Sequence, residues 1–216
     1  MKKIGDTTLI SIINFRLILS FTTGFVFLSA CVQTKNFYVS PAFQNISTRE
    51  IAVLPFANQT NDLSAQDILR KMVIEEFKQS GYIPVSVDMV EEKLRNIGIT
   101  DGGQLPAVAP ETVSKTVGTD LLCYGTVEDF TFQNVGFVVK KKVTLNIKIM
   151  SGTSKEVLFE AAGTGNDLKI YTKKDEAKKA FVRETAFKLV QNILKFPLRR
   201  ESEIAIRKIF SKIPRR

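Results

Sequence analysis

Residues 51–56, Ile-Ala-Val-Leu-Pro-Phe, constrain the fold of this chain more than any other stretch. A near-continuous apolar run of strand length has no side fit for water. It suits a strand covered on both faces, as parallel strands in α/β proteins are. Pro55 stands at the end of the run, where a missing ladder donor is tolerated. A loop from Ala57 to Leu63 follows, and then the period changes. Leu69, Met72, Val73 and Phe77 recur at helical spacing from a start near Ser64, with Gly81 as the stop. Tyr82 to Val87 reads as a second strand. Asp88, with Glu91 three residues on, predicts a capping arrangement for a helix ending before Gly98. Strand, helix, strand, helix predicts a parallel βαβ start with a right-handed crossover.

The later sequence has a different pattern. Gly102-Gly103 opens a loop, and Pro110-Glu111 predicts the first turn of a short helix to Val117. Leu121 to Phe132 reads as a long strand. Val143, Leu145, Ile147 and Ile149 alternate with Thr144, Asn146 and Lys148, which is a strand with one wet face. Residues 151–154, Ser-Gly-Thr-Ser, form a turn, and Glu156 to Ala161 returns as the hairpin partner. A helix is expected from about Lys174 to Lys195, with Ala177, Phe181, Ala186, Val190, Ile193 and Leu194 on its apolar side. Pro197 breaks it. The expected fold is one α/β domain over 50–196, with a mixed sheet that starts parallel and ends in an antiparallel hairpin, and helices packed on it. A basic helix over 197–216 closes the chain.

The first residues carry an address. Lys2 and Lys3 precede Arg16 and an apolar run from Leu17 to Leu28, about a dozen residues and too short for a membrane helix, which needs ~20. A positive flank, a short apolar core and small residues at the end make a secretory signal over 1–30. It ends in Leu28-Ser29-Ala30-Cys31, which resembles the lipobox of bacterial lipoproteins. The resemblance implies cleavage between Ala30 and Cys31, a diacylglycerol on the Cys31 thiol and an acyl chain on the new amine. Val32, where an aspartate would mark inner-membrane retention, favours the periplasmic face of the outer membrane. Two or three acyl chains hold a domain far more firmly than one, each buried methylene contributing ~0.8 kcal/mol. Residues 31–49, polar and containing Pro41, are expected to be a lipidated tether.

Composition excludes several chemistries. The chain has 216 residues, no histidine, no tryptophan and two cysteines. No His triad, His-ligated metal or histidine pH switch is open to it. With Cys31 lipidated, Cys123 is left alone in an apolar strand and is expected to be a buried structural thiol. Glu128 and Asp129 are adjacent in a strand, so they point to opposite faces and make no acid/base pair. Gly163-Thr164-Gly165-Asn166 lacks phosphate-loop spacing and follows a hairpin. No catalytic residue, cofactor or metal site is expected.

Two candidate interaction regions stand out. Asn58 and Thr60 follow the first strand at its carboxyl end, where ligands of open α/β sheets bind; they fit loop-closing turn bonds equally well. The C-terminal segment from Lys195 holds eight Lys/Arg against two Glu, including Arg199, Arg200, Arg207 and Lys208. The net charge is +9 for the whole chain. Lys2, Lys3 and Arg16 against Asp6 leave +7 after residue 30, and most of it lies in this segment. Ile206, Ile209, Phe210 and Ile213 form a stripe beside that charge. The segment reads either as a contact to an anionic surface or partner, or as a helix packed on the domain with a solvated basic face.

The stretch from Tyr38 to Gly163 resembles a family of bacterial lipoproteins with a domain of unknown function, known from a neisserial surface-antigen candidate. The residues that carry this are the lipobox, the tract Ile51-Ala-Val-Leu-Pro-Phe-Ala-Asn-Gln-Thr60, Asp120 with Gly125, and Val157-Leu158-Phe159. More loosely the layout is similar to the periplasmic domains of the curli-secretion lipoprotein, the penicillin-binding-protein activator lipoproteins and the Tol translocation protein. The resemblance implies a non-enzymatic accessory of an envelope assembly machine, working by binding an envelope protein and possible as a homo-oligomer. The alternative is an auxiliary lipoprotein of a transport system that touches the cargo. Nucleic acid is not an expected partner outside the cytoplasm.

Overall fold

In the computed structural model, residues 37–190 and 198–216 are described. The expected signal and lipidation residues, Ala30 and Cys31 among them, lie outside these residues.

The strands are β1 (Phe37–Val39), β2 (Glu50–Val53), β3 (Ala57–Asn58), β4 (Ile83–Pro84), β5 (Leu121–Val135), β6 (Val138–Ser151) and β7 (Val157–Ile170). They form one seven-stranded sheet in the order β1-β7-β6-β5-β2-β4, with β3 pairing β5 beyond the end of β2. β2 runs parallel to both β4 and β5, and β3 parallel to β5. β5, β6, β7 and β1 are antiparallel. The fold is therefore a mixed α/β sheet, parallel at one end and antiparallel at the other, as the periodicity indicated.

The helices are α1 (Pro41–Asn45), α2 (Ala65–Gln79), α3 (Val87–Arg95), α4 (Pro110–Val117), α5 (Lys174–Val190) and α6 (Arg199–Phe210). Two apolar cores lie on opposite faces of the sheet. One joins Ile51, Val53 and Phe56 to Leu69, Val73 and Phe77 of α2 and to Ile206, Ile209 and Phe210 of α6. The other joins Ala52, Leu54 and Leu122 to Val90 and Leu94 of α3 and to Val113 and Val117 of α4. Alternate residues of β2 thus enter different cores, which is why its sequence is apolar throughout.

Several local readings differ; the hairpin partner expected over Glu156 to Ala161 is β7, Val157–Ile170, and β3 lies in the loop expected from Ala57. The expected tether over 31–49 is not unstructured in its described part: residues 37–39 pair with β7, and Phe43 of α1 is fully buried, its ring centroid 6.5 Å from that of Phe159. Ser40 caps α1, its Oγ accepting from the Ala42 amide at 3.2 Å. A polar, Pro-containing segment became structured because β7 offers it an edge, a partner local composition does not reveal. Only Ile83–Pro84 of the second strand forms ladder pairs. Asp88 does not cap α3; Ser86 holds that position and Asp88 falls in the first turn. Residues 102–107 form a 3-10 turn rather than a loop, capped by the Asp101 side chain, which accepts from Gly103 N at 2.7 Å.

The glycines of Gly163-Thr164-Gly165 lie in β7 under α6. A Cβ on Gly163 would stand 2.1 Å from the carbonyl oxygen of Ala205, and one on Gly165 1.9 Å from that of Glu201. Their role is to let helix backbone approach sheet backbone. The closing helix is consequently part of the domain's core. Ile206, Ile209, Phe210 and Ile213 are buried, so the packed reading of its apolar stripe is the one the structure displays.

Candidate interaction surfaces

A crevice of about 590 Å³ lies past the end of β2, lined by residues of α2 and α3. Its floor is Arg70, which is 4% exposed. Arg70 donates from Nε and Nη2 to the Val53 carbonyl at 3.1 and 2.9 Å, and from Nη1 to Glu91 Oε1 at 2.7 Å. The guanidinium finishes β2, giving its last carbonyl two donors just before Pro55 and tying α2 to α3. Sequence reading missed Arg70. The signal was there, since Arg70 has the helical spacing of Val73, Ile74 and Phe77 and so sits on the buried stripe of α2. Around it the crevice presents Lys71 and Arg95 against Asp67 and Asp101. A charge-balanced, hydrogen-bonding cleft suits a polar peptide segment better than a free anion.

Asn58 and Thr60 stand at the next loop. Asn58 Oδ1 accepts from the Thr60 amide at 2.9 Å and from its hydroxyl at 2.8 Å, while Asn58 Nδ2 donates to the Asp62 carbonyl at 2.8 Å. These are loop-closing bonds of the Asx type. The loop carries Leu63, 84% exposed, over an open groove of about 840 Å³ bordered by Glu128 to Gln133.

The cations of α6 lie apart from both places. Arg199 pairs with Glu203 at 2.8 Å, and Lys208 donates to the Thr164 carbonyl at 2.7 Å. Arg200 and Arg207 are exposed. The structure does not bring these cations together with Asn58 or Thr60.

Several other titratable groups are engaged by the fold or its surface ion pairs. Burial pushes the Cys123 thiol well above its ordinary range, which removes thiolate chemistry at neutral pH. Burial also acts to raise Asp120, but bonds from Thr153, Ser151 and Gly152 outweigh it and hold its carboxyl below the ordinary value. Ser151 Oγ donates to Asp120 Oδ2 at 2.9 Å and the Thr153 amide to Oδ1 at 2.7 Å. Glu111 is held down to about 2 by Lys115 and Lys155 at the protein surface. Glu128 lies at a bulge in β5, and Asp129 pairs with Lys142 at 3.0 Å. Among the described residues no group of three Asp, Glu or Cys side chains is placed to hold a metal ion.

A family profile described as "Putative lipoprotein GNA1162-like" matches residues 38–199. The chain belongs to this lipoprotein family. A curated relative from Neisseria meningitidis serogroup B (strain ATCC BAA-335 / MC58), "Putative lipoprotein NMB1124/NMB1162", is 27% identical over 104 residues. The match takes in 48% of this chain and 48% of the relative, so the chain spans about half the length of that protein. The crystal structure of lipoprotein GNA1162 from Neisseria meningitidis has the same fold: TM-score 0.52 at 17% identity, over 66% of this chain and 99% of that one. A PelC dodecamer from Paraburkholderia phytofirmans gives a TM-score of 0.46 at 11% identity, over 77% of this chain and 89% of that one.

In this GNA1162-like chain the residues that carry the family resemblance can be given structural work. Phe56 lies against Gly125, where a Cβ would stand 2.4 Å from a ring carbon. Asp120 ties the start of β5 to the β6–β7 turn. Val157-Leu158-Phe159 pairs β7 with β6 and receives β1.

Proposed function

We propose that this chain is a lipoprotein of the periplasmic face of the outer membrane, anchored through Cys31, whose α/β domain docks an envelope protein and performs no chemistry of its own. The carrying observation is the Leu28-Ser29-Ala30-Cys31 sequence, six residues before β1, in a chain of a lipoprotein family. Val32 supports the outer-membrane address. The non-enzymatic part draws support from Arg70, Asp120 and Cys123, whose reactive groups are engaged in or buried by the fold itself. The crevice between α2 and α3 is the docking place we favour, because there the end of β2 and the two helices border unfilled, charge-balanced volume.

Mass spectrometry of the mature N-terminus tests the anchor: a diacylated Cys31 is expected, and Cys31→Ser releases the protein from membranes. A mature form without lipid overturns it. For the docking place, a photoreactive residue at Gln66 should capture one defined envelope protein in intact cells, and Arg95→Glu should remove that adduct. Capture of a second copy of this chain replaces the reading by self-assembly. An adduct unaffected by Arg95→Glu places the docking surface elsewhere.

A further inference from the structure

The β5–β6 hairpin and the end of β7 project as an arm with an apolar tip. Val135 pairs with Val138, and Val138 with Ile170, in one row across three strands. The next row on that face is Gln133, Lys140 and Leu168, and the next Thr131, Lys142 and Asn166. Phe137 sits in the turn, after Gly136 with φ of 63°. Val135, Phe137, Leu168 and Ile170 are 63%, 50%, 56% and 74% exposed. On the opposite face the arm is packed: Val139 is buried and the Phe132 ring lies 4.8 Å from that of Phe181 in α5. The apolar row is thus not the edge of a core. Behind it cations outnumber anions: residues 129–142 and 166–175 hold six lysines against three aspartates, of which Asp129 and Asp167 pair with Lys142 and Lys169.

The direction of the chain gives this tip a place. β1 runs antiparallel to β7, with Phe37 opposite Ala161 and Val39 opposite Phe159. Going back toward the N-terminus, β1 therefore heads along β7 toward Ile170, at the tip. From Ala161 to Ile170 the strand covers nine steps, about 30 Å. Five residues, 32–36, separate Cys31 from Phe37, and those six steps reach at most ~20 Å. The short span from Cys31 to β1 keeps the domain, and with it the tip toward which β1 points, within reach of the surface that would hold the anchor.

We propose that the tip formed by Val135, Phe137, Leu168 and Ile170 inserts into an anionic bilayer surface, with Lys140 and its neighbouring lysines at the headgroups, as a second membrane contact that fixes how the domain stands. The orientation rests on the Cys31 anchor; the chemistry of the tip does not. A convex apolar turn with a cationic collar matches a lipid interface, where the turn enters the acyl boundary and the lysines meet phosphates. A protein partner would need a matching groove.

The chain has no tryptophan, so Phe137→Trp introduces a single reporter. The full mature protein is reconstituted into vesicles of phosphatidylethanolamine and phosphatidylglycerol, with and without brominated acyl chains. The expected result is blue-shifted emission quenched by the brominated lipid. The same reporter at Met89 of α3, 45% exposed, should stay solvent-like. Lys140→Gln should lower the ratio of inserted to withdrawn tip about fivefold, the equivalent of ~1 kcal/mol for one lysine at an anionic surface. Ile170→Trp provides the same reading if Phe137→Trp folds poorly. A vesicle-bound protein whose indole is reached only by an aqueous quencher overturns the proposal. So does a blue shift without vesicles that grows with protein concentration, which would make a second copy the occupant. Mass spectrometry of the same sample keeps the two readings separate. If Cys31 carries no lipid, the anchor fails alone, and binding to phosphatidylglycerol vesicles with or without the shift still decides the tip.

Discussion

The two ends of the sheet are built by opposite rules. Around β2 the sheet is covered on both faces, by α2 on one side and by α3 and α4 on the other. Past the first residues of β5, the antiparallel strands have their apolar core on one face, under α2 and α6, while Thr126, Asn146 and Lys148 on the other border an open cleft of about 320 Å³. The first end has no tolerance for polarity and little freedom to acquire a function beyond its crevice. The second keeps one face free of structural duty, and that face carries the wet cleft and the apolar tip.

The largest test pairs the same change at both ends. Ile51 is fully buried in the core under α2, and Thr126 is on the open face. Ile51→Asp should leave the protein unfolded at room temperature, since a buried carboxylate without a partner costs several kcal/mol and total stability is about 5–15 kcal/mol. Thr126→Asp should lower stability by less than ~1 kcal/mol. Circular dichroism and denaturant melts of both variants measure this. Equal losses would show that the antiparallel end is covered too.

A second test asks whether α6 belongs to the antiparallel end as core. Gly163→Val drives a side chain into the Ala205 carbonyl, which stands only 2.1 Å from the position of a Cβ there. The helix must lift, exposing Ile206, Ile209 and Phe210, each contributing about 1.5–3 kcal/mol when fully buried. A loss above ~3 kcal/mol is expected, and removal of residues 198–216 should be at least as damaging. An unchanged melting temperature would return the helix to the status of an independent basic appendage.

Much of this was legible beforehand. The continuous run 51–56 gave a doubly covered strand, and the alternation from Val143 to Ile149 gave a singly covered one, because each period reports local burial directly. Pro110 and Gly118 bracket α4 as their backbone preferences require. What stayed hidden depends on partners far away in sequence. β1 exists only by pairing with β7. The buried role of Arg70 needs the Val53 carbonyl, and the Gly163/Gly165 spacing has meaning only beneath α6. The candidate surfaces were legible in part. Asn58 and Thr60 make the loop-closing bonds that their residue types allow. The crevice and the arm's apolar tip were missed, since both arise from rows of residues contributed by separate strands and helices.

A smaller effect should appear at Asp120, on the seam between the two ends. Its carboxyl lies below the ordinary value because the Thr153, Ser151 and Gly152 bonds outweigh burial. A group with a depressed folded pKa stabilises the protein above its unfolded pKa, about 3.9, and loses that contribution as pH falls through the folded value. Asp120→Ala should cost about 1–2 kcal/mol at pH 7, the worth of the lost hydrogen bonds. As pH falls below the ordinary carboxylate range and through the lowered folded value, the difference from the parent chain should shrink. A difference that is constant with pH would mean that the ionised form is not what holds the β6–β7 turn.

The smallest expected change in stability lies at the far end of the arm. Ile170 has 74% of its surface exposed, and its neighbours in the row are Val138 and, beyond it, Val135. Little apolar area is withdrawn from water there, so Ile170→Ser removes mainly cross-strand contact worth roughly 0.2–1 kcal/mol. The melting temperature of the protein in detergent-free buffer should fall by only a few degrees, the equivalent of under ~1 kcal/mol. Removing an exposed isoleucine ordinarily improves solubility, so the retention of four such side chains in one convex cluster calls for a surface that takes them up. A loss well above 1 kcal/mol in the isolated protein would mean that the row is packed rather than open. The two ends of the sheet would then differ less than their sequences say.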